Sequence, residues 1–574
     1  MGTGQPLPIP FPLSTFPGAN PQEGSGRLIN CYAEPLGEAQ KPTGPAPQVW
    51  RRSPGLSQQN AVATGQTGYR GGLLVNNLGY EAFSGNVSTV DANGNVASIG
   101  NFPGTKKVTI ARDQASPTPD IVAVDVDNGA YVLSGVGAPS FYNGAGNLPQ
   151  PNSVCFQDGY FFFTIAAGQC YASALNALTQ NALTFITCQA KSDVVLLRGI
   201  PFSGLLFLFT TGSCEVWQDA INPAPAFPYA RLVVLEFGLV QSSAIAGWET
   251  GFSELMWVAQ DFGVYWLTAG SLMPIKVSSP DLERLIEAQV RAGNTLEAGC
   301  YAFAGRKFWT ISSPSWTWEF NLATKKWNER WSLTTAGIFG RWRATDGHPA
   351  FGKWLFGDQN SGNMLWLDSN NYTENGAVQL FRIESGPVKN FPSQMRVARA
   401  DFDFDMGVGI AVGNFQMTVL GAVAGTGGVV RLTVNSTAQA NTNDVVNVSG
   451  VTGTTEANGG YPIKVIDASH IELEGTVFKN AYAGGGTAVD VTSPPNAINP
   501  QVAISMSKNG GLNFGNPLLR SLGTQGRSLR ARASVKNMGL SGTMGDRWRL
   551  DVTDPIYTGF LGGTQSSDPR NPGT

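Results

Sequence analysis

Seven times the chain writes the same phrase: an apolar run, a tight turn bearing small or polar residues, and a second run ending in aromatics. It is clearest at Leu205 to Gln218 (LLFLFTTGSCEVWQ), and the other copies start at Gly72 (GLLVNNLGYEAF), Ile121 (IVAVDVDNGAYVL), Tyr160 (YFFFTIAAGQCYA), Glu254 (ELMWVAQDFGVYWL), Arg306 (RKFWTISSPSWTWEF) and Lys353 (KWLFGDQNSGNMLWL). Each reads as two β-strands with a short connection. Successive starts lie 39 to 52 residues apart. A β-rich unit with a period of roughly 40 to 50 residues predicts a radial β-propeller, one small sheet per repeat. Seven blades is the working count.

The rest of the chain agrees with an all-β reading. Its 574 residues include 70 Gly and 35 Pro, and only 14% are charged, which describes a turn-rich protein whose weakly charged outside meets other protein. Asn93-Gly94, Asn128-Gly129 and Asn375-Gly376 are dipeptides that tolerate φ > 0 in hairpin turns. One helix interrupts the repeats: Ser279 is its N-cap, Pro280 sits in its first turn, and Leu282, Leu285, Ile286, Gln289 and Val290 share one face, which predicts a helix over 280 to 291.

Residues 1–55 are rich in Pro and Gly, with proline at every second position from Pro6 to Pro12. This predicts an extended N-terminal arm that either drapes over its own domain or reaches a neighbouring subunit. The propeller is assigned to 56–395. Beyond it, Asp401-Phe402-Asp403-Phe404-Asp405-Met406 alternates strictly, the mark of a half-buried strand. The economical reading is a β-sandwich of residues 396–420 and 496–560, a platform interrupted by a Gly/Thr/Val/Asn-rich inserted β-module at 421–495. Residues 561–574 read as a loose C-terminal tail.

Several chemistries are absent from the pattern. The two histidines, His348 and His470, have no second His at ligand spacing and read as lone turn or strand residues. Neither a nucleophile elbow nor a phosphate-binding loop is present. Asp401, Asp403 and Asp405 stand about 6 to 7 Å apart on one strand face, which suits a solvated face better than a chelating site. Asp125-x-Asp127-x-Gly129 is a calcium-loop fragment without its distal Glu, and a hairpin turn explains it more simply. Ser507-x-Asn509-x-Gly511-x-x-Phe514 resembles the Asp-box turn of sialidases, but it occurs once, outside the repeats, and also reads as a hairpin turn. No catalytic, cofactor or metal residue is assigned. Most of the fourteen Trp fall inside repeat strands, where core packing accounts for them.

Cys31, Cys155, Cys170, Cys188, Cys214 and Cys300 form no C-x-x-C pair, which predicts buried thiols and synthesis in a reducing cytoplasm. The N-terminus lacks a basic region, so no signal peptide is expected, and no apolar stretch reaches the length of a membrane span. The net charge of −3 makes no global case for nucleic acid, yet the stretch from Gln501 onward carries nine Lys/Arg against four Asp. From it come the candidate interface or channel-facing basic residues: Arg520, Arg527, Arg530, Arg532, Arg547 and Arg549. They touch phosphate, pair with a neighbour's carboxylates, or form a solvated face.

Six motifs occur in a set order: Arg27 to Glu34 (RLINCYAE), Ser53 to Leu56 (SPGL), Gly212 to Trp217 (GSCEVW), Trp327 to Arg330 (WNER), Ser507 to Phe514, and Trp548 to Pro555 (WRLDVTDP). Together they resemble the tail nozzle, or tail hub and packaged-DNA stabilisation, proteins of short-tailed bacteriophages, over about Arg27 to Pro555 without the inserted module. The resemblance implies a structural virion protein with no enzymatic role, made in the bacterial host cytoplasm and built into the tail. Six copies would form a ring below the portal-adaptor protein, retain packaged double-stranded DNA and conduct it during ejection. Implied partners are tail fibres or spikes and a needle or plug. The alternative is a glycan-binding or glycan-cleaving propeller of sialidase type.

Overall fold

The computed structural model describes residues 6–36, 48–60, 63–191, 195–220, 222, 226–389, 394–406, 415–490, 500–523 and 530–570. The chain divides into two compact units, one of Met1–Phe404, Gln501–Arg520 and Arg532–Thr574, the other of Asp405–Pro500 and Ser521–Ala531.

The first unit contains a seven-bladed propeller. Blades one to five, spanning 69–101, 108–142, 153–187, 196–235 and 245–276, are separate four-stranded antiparallel sheets. Blade six, 297–329, begins a nine-stranded sheet. Blade seven takes three strands from 344–368, and its fourth is Gly55–Gln58, which pairs antiparallel with Met364–Asp368 through Leu56↔Leu367. Chain preceding the first blade therefore completes the last one. The ring is thus closed by backbone hydrogen bonds between its two ends.

Six of the seven recognised hairpins are the second and third strands of their blades. The one at Gly72 is the first and second, Tyr69–Val75 with Leu78–Phe83. The phase slips because blade one has two tight turns: Asn76 and Asn77 take φ of 48° and 60°, and Ser84 takes 45°. Either hairpin of that blade reads alike in sequence. Helix Pro280–Arg291 forms as its pattern requires, with the Ser279 hydroxyl accepting from the Leu282 amide. Its Leu282 and Ile286 enter a core shared by blades four to six, where Trp257, Trp309 and Trp318 are fully buried.

Two further sheets of this unit make the platform. One has the order Cys31–Pro35, Gln48–Arg52, Gly559–Arg570, Gln394–Asp405 and Arg530–Leu540, with Pro6–Pro8 also pairing to Gly559–Arg570. The other extends blade six through Arg27–Ile29, Phe381–Glu384, Arg547–Val552, Gln501–Ser507 and Leu518–Ser521. The sheets meet through Phe402, whose ring centroid is 5.4 Å from that of Trp548.

Three expectations about boundaries need correction. The N-terminal segment is not only an extended arm: it supplies strands to both platform sheets and to blade seven, and Phe11 packs on Trp50, Phe402 and Phe560. Its proline run drapes over its own domain, with Pro6↔Ser566 in register. Residues 561–570 are not part of a loose tail but continue strand Gly559–Arg570, because Trp50↔Phe560 and Pro8↔Thr564 satisfy its backbone from one side. Residues 416–420 belong to the inserted module rather than the platform, since Gln416–Ala424 is its first strand.

The second unit contains that module, a closed six-stranded barrel of Gln416–Ala424, Val430–Val434, His470–Leu473, Gly459–Asp467, Val445–Ser449 and Thr487–Asp490 in ring order. Alternate Val, Leu and Ile side chains such as Val430, Leu432, Val446, Val448, Ile463 and Ile471 fill it. Its first and last strands are neighbours through Gln416↔Val489, which suits a module inserted within another domain.

Candidate functional site: the seam between blade six and the platform

The motifs at Arg27, Trp327 and Trp548 converge on one line of strands. Arg27–Ile29 pairs parallel with blade six through Ile29↔Glu329 and antiparallel with Phe381–Glu384 through Leu28↔Ile383. Phe381–Glu384 in turn pairs with Arg547–Val552 through Ile383↔Leu550. Three residues thus make the propeller and the platform a single sheet.

Paired charges hold that sheet across its strands. Arg27 reaches both oxygens of the buried Glu329, at 2.9 and 2.6 Å, with its guanidinium 5.0 Å from the Trp331 ring centroid. Arg382 is bidentate to Asp551 at 2.7 and 2.8 Å, and Arg549 donates to Glu384 at 2.8 Å. Such forked arginine–carboxylate contacts fix register as well as adding energy. Asn30, at φ 51°, is a latch: its amide donates to the Trp331 and Leu380 carbonyls, both at 2.8 Å, and its oxygen accepts from the Trp331 amide at 2.9 Å. Arg52 donates to Gln379 Oε1 at 3.0 Å and to the Ile556 carbonyl at 2.9 Å.

Beside the seam, between blade six and the sheet of blade seven, Arg330 is fully buried. Its guanidinium lies 3.9 Å from Glu319 and 3.7 Å from Glu374, both also fully buried, and 4.3 Å from the Trp342 ring centroid. Burial pushes the Glu374 carboxyl upward, while Arg330 and the hydroxyl of Ser332 pull it back. One cation thus holds two carboxylates in the core. Sequence reading found the W-N-E-R motif but not this role, because Glu374 lies far away along the chain.

Among the described residues, four of the basic candidates are engaged by groups of this chain. Arg547 is buried and donates to the Gly24 carbonyl, so it presents no charge to a partner; burial lowers its pKa. Arg549 is held by Glu384 and covers the Phe514 ring at 3.7 Å. Arg532 is exposed but paired with Asp403 at 2.8 Å, and Arg520 donates to the Ser534 carbonyl at 2.8 Å. Arg530 begins strand Arg530–Leu540 and is exposed. Arg527 lies outside the described residues.

The remaining motifs resolve into turns and pairs. Arg70 binds Asp125 at 2.8 Å, while Asp125 Oδ1 accepts from the amides of Asp127 and Asn128, so an arginine fills the centre of the calcium-loop fragment. Asp401 accepts from Arg399 and Ser534. Ser507 Oγ accepts from the Gly511 amide at 2.9 Å in the hairpin turn before Leu518–Ser521. Of the two readings of His348, turn or strand residue, the structure gives the strand, and the ring is buried 3.1 Å from Glu81. All six cysteines are buried and unpaired. Among the described residues no three His, Cys, Asp or Glu side chains are grouped to hold a metal ion, and no helix is long and apolar enough to cross a membrane.

Comparison with known proteins decides the family. The profile for "Bacteriophage P22 Gp10, beta-propeller", a phage stabilisation family, matches residues 24–372. The chain belongs to this family. The match starts just before Arg27, ends just after blade seven and covers Arg330, so a phage tail-related protein carries this propeller. No curated protein matches the chain. Among solved structures it is similar to a chain of the mitotic checkpoint complex, at 8% identity and a TM-score of 0.35 over 54% of this chain and 94% of that one. It is also similar to the computationally designed Ika8 protein, at 9% identity and a TM-score of 0.32 over 54% of this chain and 100% of that one.

Proposed function

We propose that this chain is a nozzle or hub subunit of a short phage tail. Six copies form a ring below the portal-adaptor protein, retain the packaged genome and conduct it on ejection. The observation that carries the reading is the seam: a nine-stranded sheet with arginine–carboxylate pairs across its strands joins propeller to platform without a flexible linker. A subunit held against DNA pressure needs its two halves to move as one body, and continuous hydrogen bonding supplies that where an ordinary interdomain contact would shear. Family membership supports the same assignment.

The arginines of the platform suit a conduit. Arg532 and Arg549 carry their own carboxylates, and a wall with its cations neutralised lets a polyanion slide, because tight binding to DNA scales with the number of phosphates neutralised. Fibres or spikes and a needle or plug are the proposed further partners.

The test is a nonsense mutation in the gene for this chain. Particles made without the protein should fill with DNA and then leak it, leaving heads whose DNA is open to nuclease. Particles that keep nuclease-resistant DNA and infect normally would overturn the assignment.

A further inference from the structure

The axis of the propeller holds a cavity of about 660 Å³. Small-ligand sites span about 300–1,000 Å³ and combine apolar walls with a few convergent polar groups. The wall here comes from the first strands of blades one, two, three, four and seven, from residues 351–354 that lead into the second strand of blade seven, and from residues 248–250, which follow the first strand of blade five.

Two side chains of opposite charge line it with unused bonding capacity. Arg198 Nη1 donates to the Ser242 carbonyl at 2.7 Å and its guanidinium lies 4.7 Å from the Trp248 ring centroid. Among the described residues it has no ion-pair partner, and Nε and Nη2 stay available. Asp346 sits at φ 52° on a bulge of Ala344–Ala350, a conformation that is costly outside Gly and concentrates at ligand sites. Its carboxylate accepts no hydrogen bond among the described residues. The nearest cation is Lys107 at 4.0 Å, which already donates to Thr345 at 3.2 Å and pairs with Glu297 at 3.5 Å. Burial holds the Asp346 and Glu249 carboxyls above their usual range and lowers Arg198.

The complement of such a pair carries both signs. An anion would meet Arg198 but face Asp346 and Glu249, and a cation would meet the acids but face Arg198. A neutral polyol would displace the water around both groups and leave them only each other and Lys107 as counter-charges, beyond hydrogen-bond reach. Around the polar pair stand Leu73, Ile110, Phe156 and Trp354, which favour apolar side chains on the ligand.

We propose that the axial cavity binds a zwitterion of the amino-acid to short-peptide class, its carboxylate on Arg198, its ammonium on Asp346 and its apolar side chains on the surrounding wall. This rests on one subunit's geometry and is independent of ring assembly.

The experiment is isothermal titration of the full-length protein with leucyl-leucine and with its doubly capped analogue, N-acetyl-leucyl-leucinamide. Leucyl-leucine should bind with a Kd of about 1 mM or tighter. The capped analogue should bind at least about tenfold more weakly, as should leucyl-leucine to Asp346→Asn and Arg198→Gln. Asn tolerates positive φ, so Asp346→Asn is the variant least exposed to a folding defect, and circular dichroism of both variants checks that point. Absence of heat at about 10 mM leucyl-leucine, equal binding of the capped form, or undiminished binding by the folded Asp346→Asn protein would overturn the proposal.

Discussion

Removing the Arg330 guanidinium is the sharpest perturbation of the buried charge cluster between blade six and the sheet of blade seven. Arg330→Met keeps the length and apolar stem of the side chain and deletes the charge between Glu319 and Glu374. Glu319 would keep its donors Tyr301 and Asn328 but lose its counter-charge, and Glu374 would keep Ser332 and Gln379 with only the more distant charge of Arg343. Breaking a buried ion pair from one side costs about 3–5 kcal/mol, because the orphaned charge stays desolvated. The cation–π contact to Trp342 adds to the loss. Neutralising both acids in the same chain, Arg330→Met with Glu319→Gln and Glu374→Gln, should return stability to within about 1–2 kcal/mol of the parent. The pH dependence follows from the direction of the Glu374 shift. Its folded pKa lies above the ordinary value and would rise further without Arg330. A carboxyl raised in the folded state destabilises increasingly as pH rises from its unfolded pKa to its folded one, so the deficit of Arg330→Met should shrink on acidification from pH 8 to pH 5. Urea titration followed by tryptophan fluorescence measures all three proteins. A single mutant within about 1 kcal/mol of the parent at pH 8, or a triple mutant no better than the single one, would refute the reasoning.

Three further outcomes are expected. Asp546, fully buried with Oδ2 unpartnered, has its pKa pushed up by burial to about 7; stability should therefore fall between about pH 4 and 7, by at most about 4 kcal/mol, and Asp546→Asn should abolish that slope in urea titrations across this range. Leu56→Asp places a charge in the core that Phe356, Leu365 and Leu367 make with the closing strand; it should unlatch blade seven at a cost above about 3 kcal/mol, seen as new protease cleavage within 344–368. Replacing 415–490 by a short Gly/Ser linker should leave the first unit folded with an unchanged urea midpoint, since the first and last strands of the barrel are paired neighbours; loss of soluble protein would contradict the insertion.

What the sequence made legible was whatever is local. The blade hairpins, the Ser279-capped helix and the Ser507 turn depend on residues close in the chain, and they formed where their patterns placed them. The closing strand Gly55–Gln58 has one core apolar residue, Leu56, and owes its place to partners more than 300 residues away. Strand Gly559–Arg570 is polar and Gly-rich, so it resembles a tail until pairing with Trp50 and Pro8 is known. Arginines stood out by number, but number does not name partners. Arg549 meets Glu384 across 165 positions and Arg547 meets the Gly24 carbonyl across 523. Arg198 and Asp346 carry no sequence signal for the same reason, since only closure of the ring brings their strands to one cavity.

The central claim is the place of the protein in the particle. Immunogold electron microscopy of DNA-filled particles, with an antibody raised against this chain, tests it most directly. The account predicts label at a single vertex of each particle, at the tail. Particles without label, or label spread over the whole shell, would contradict it.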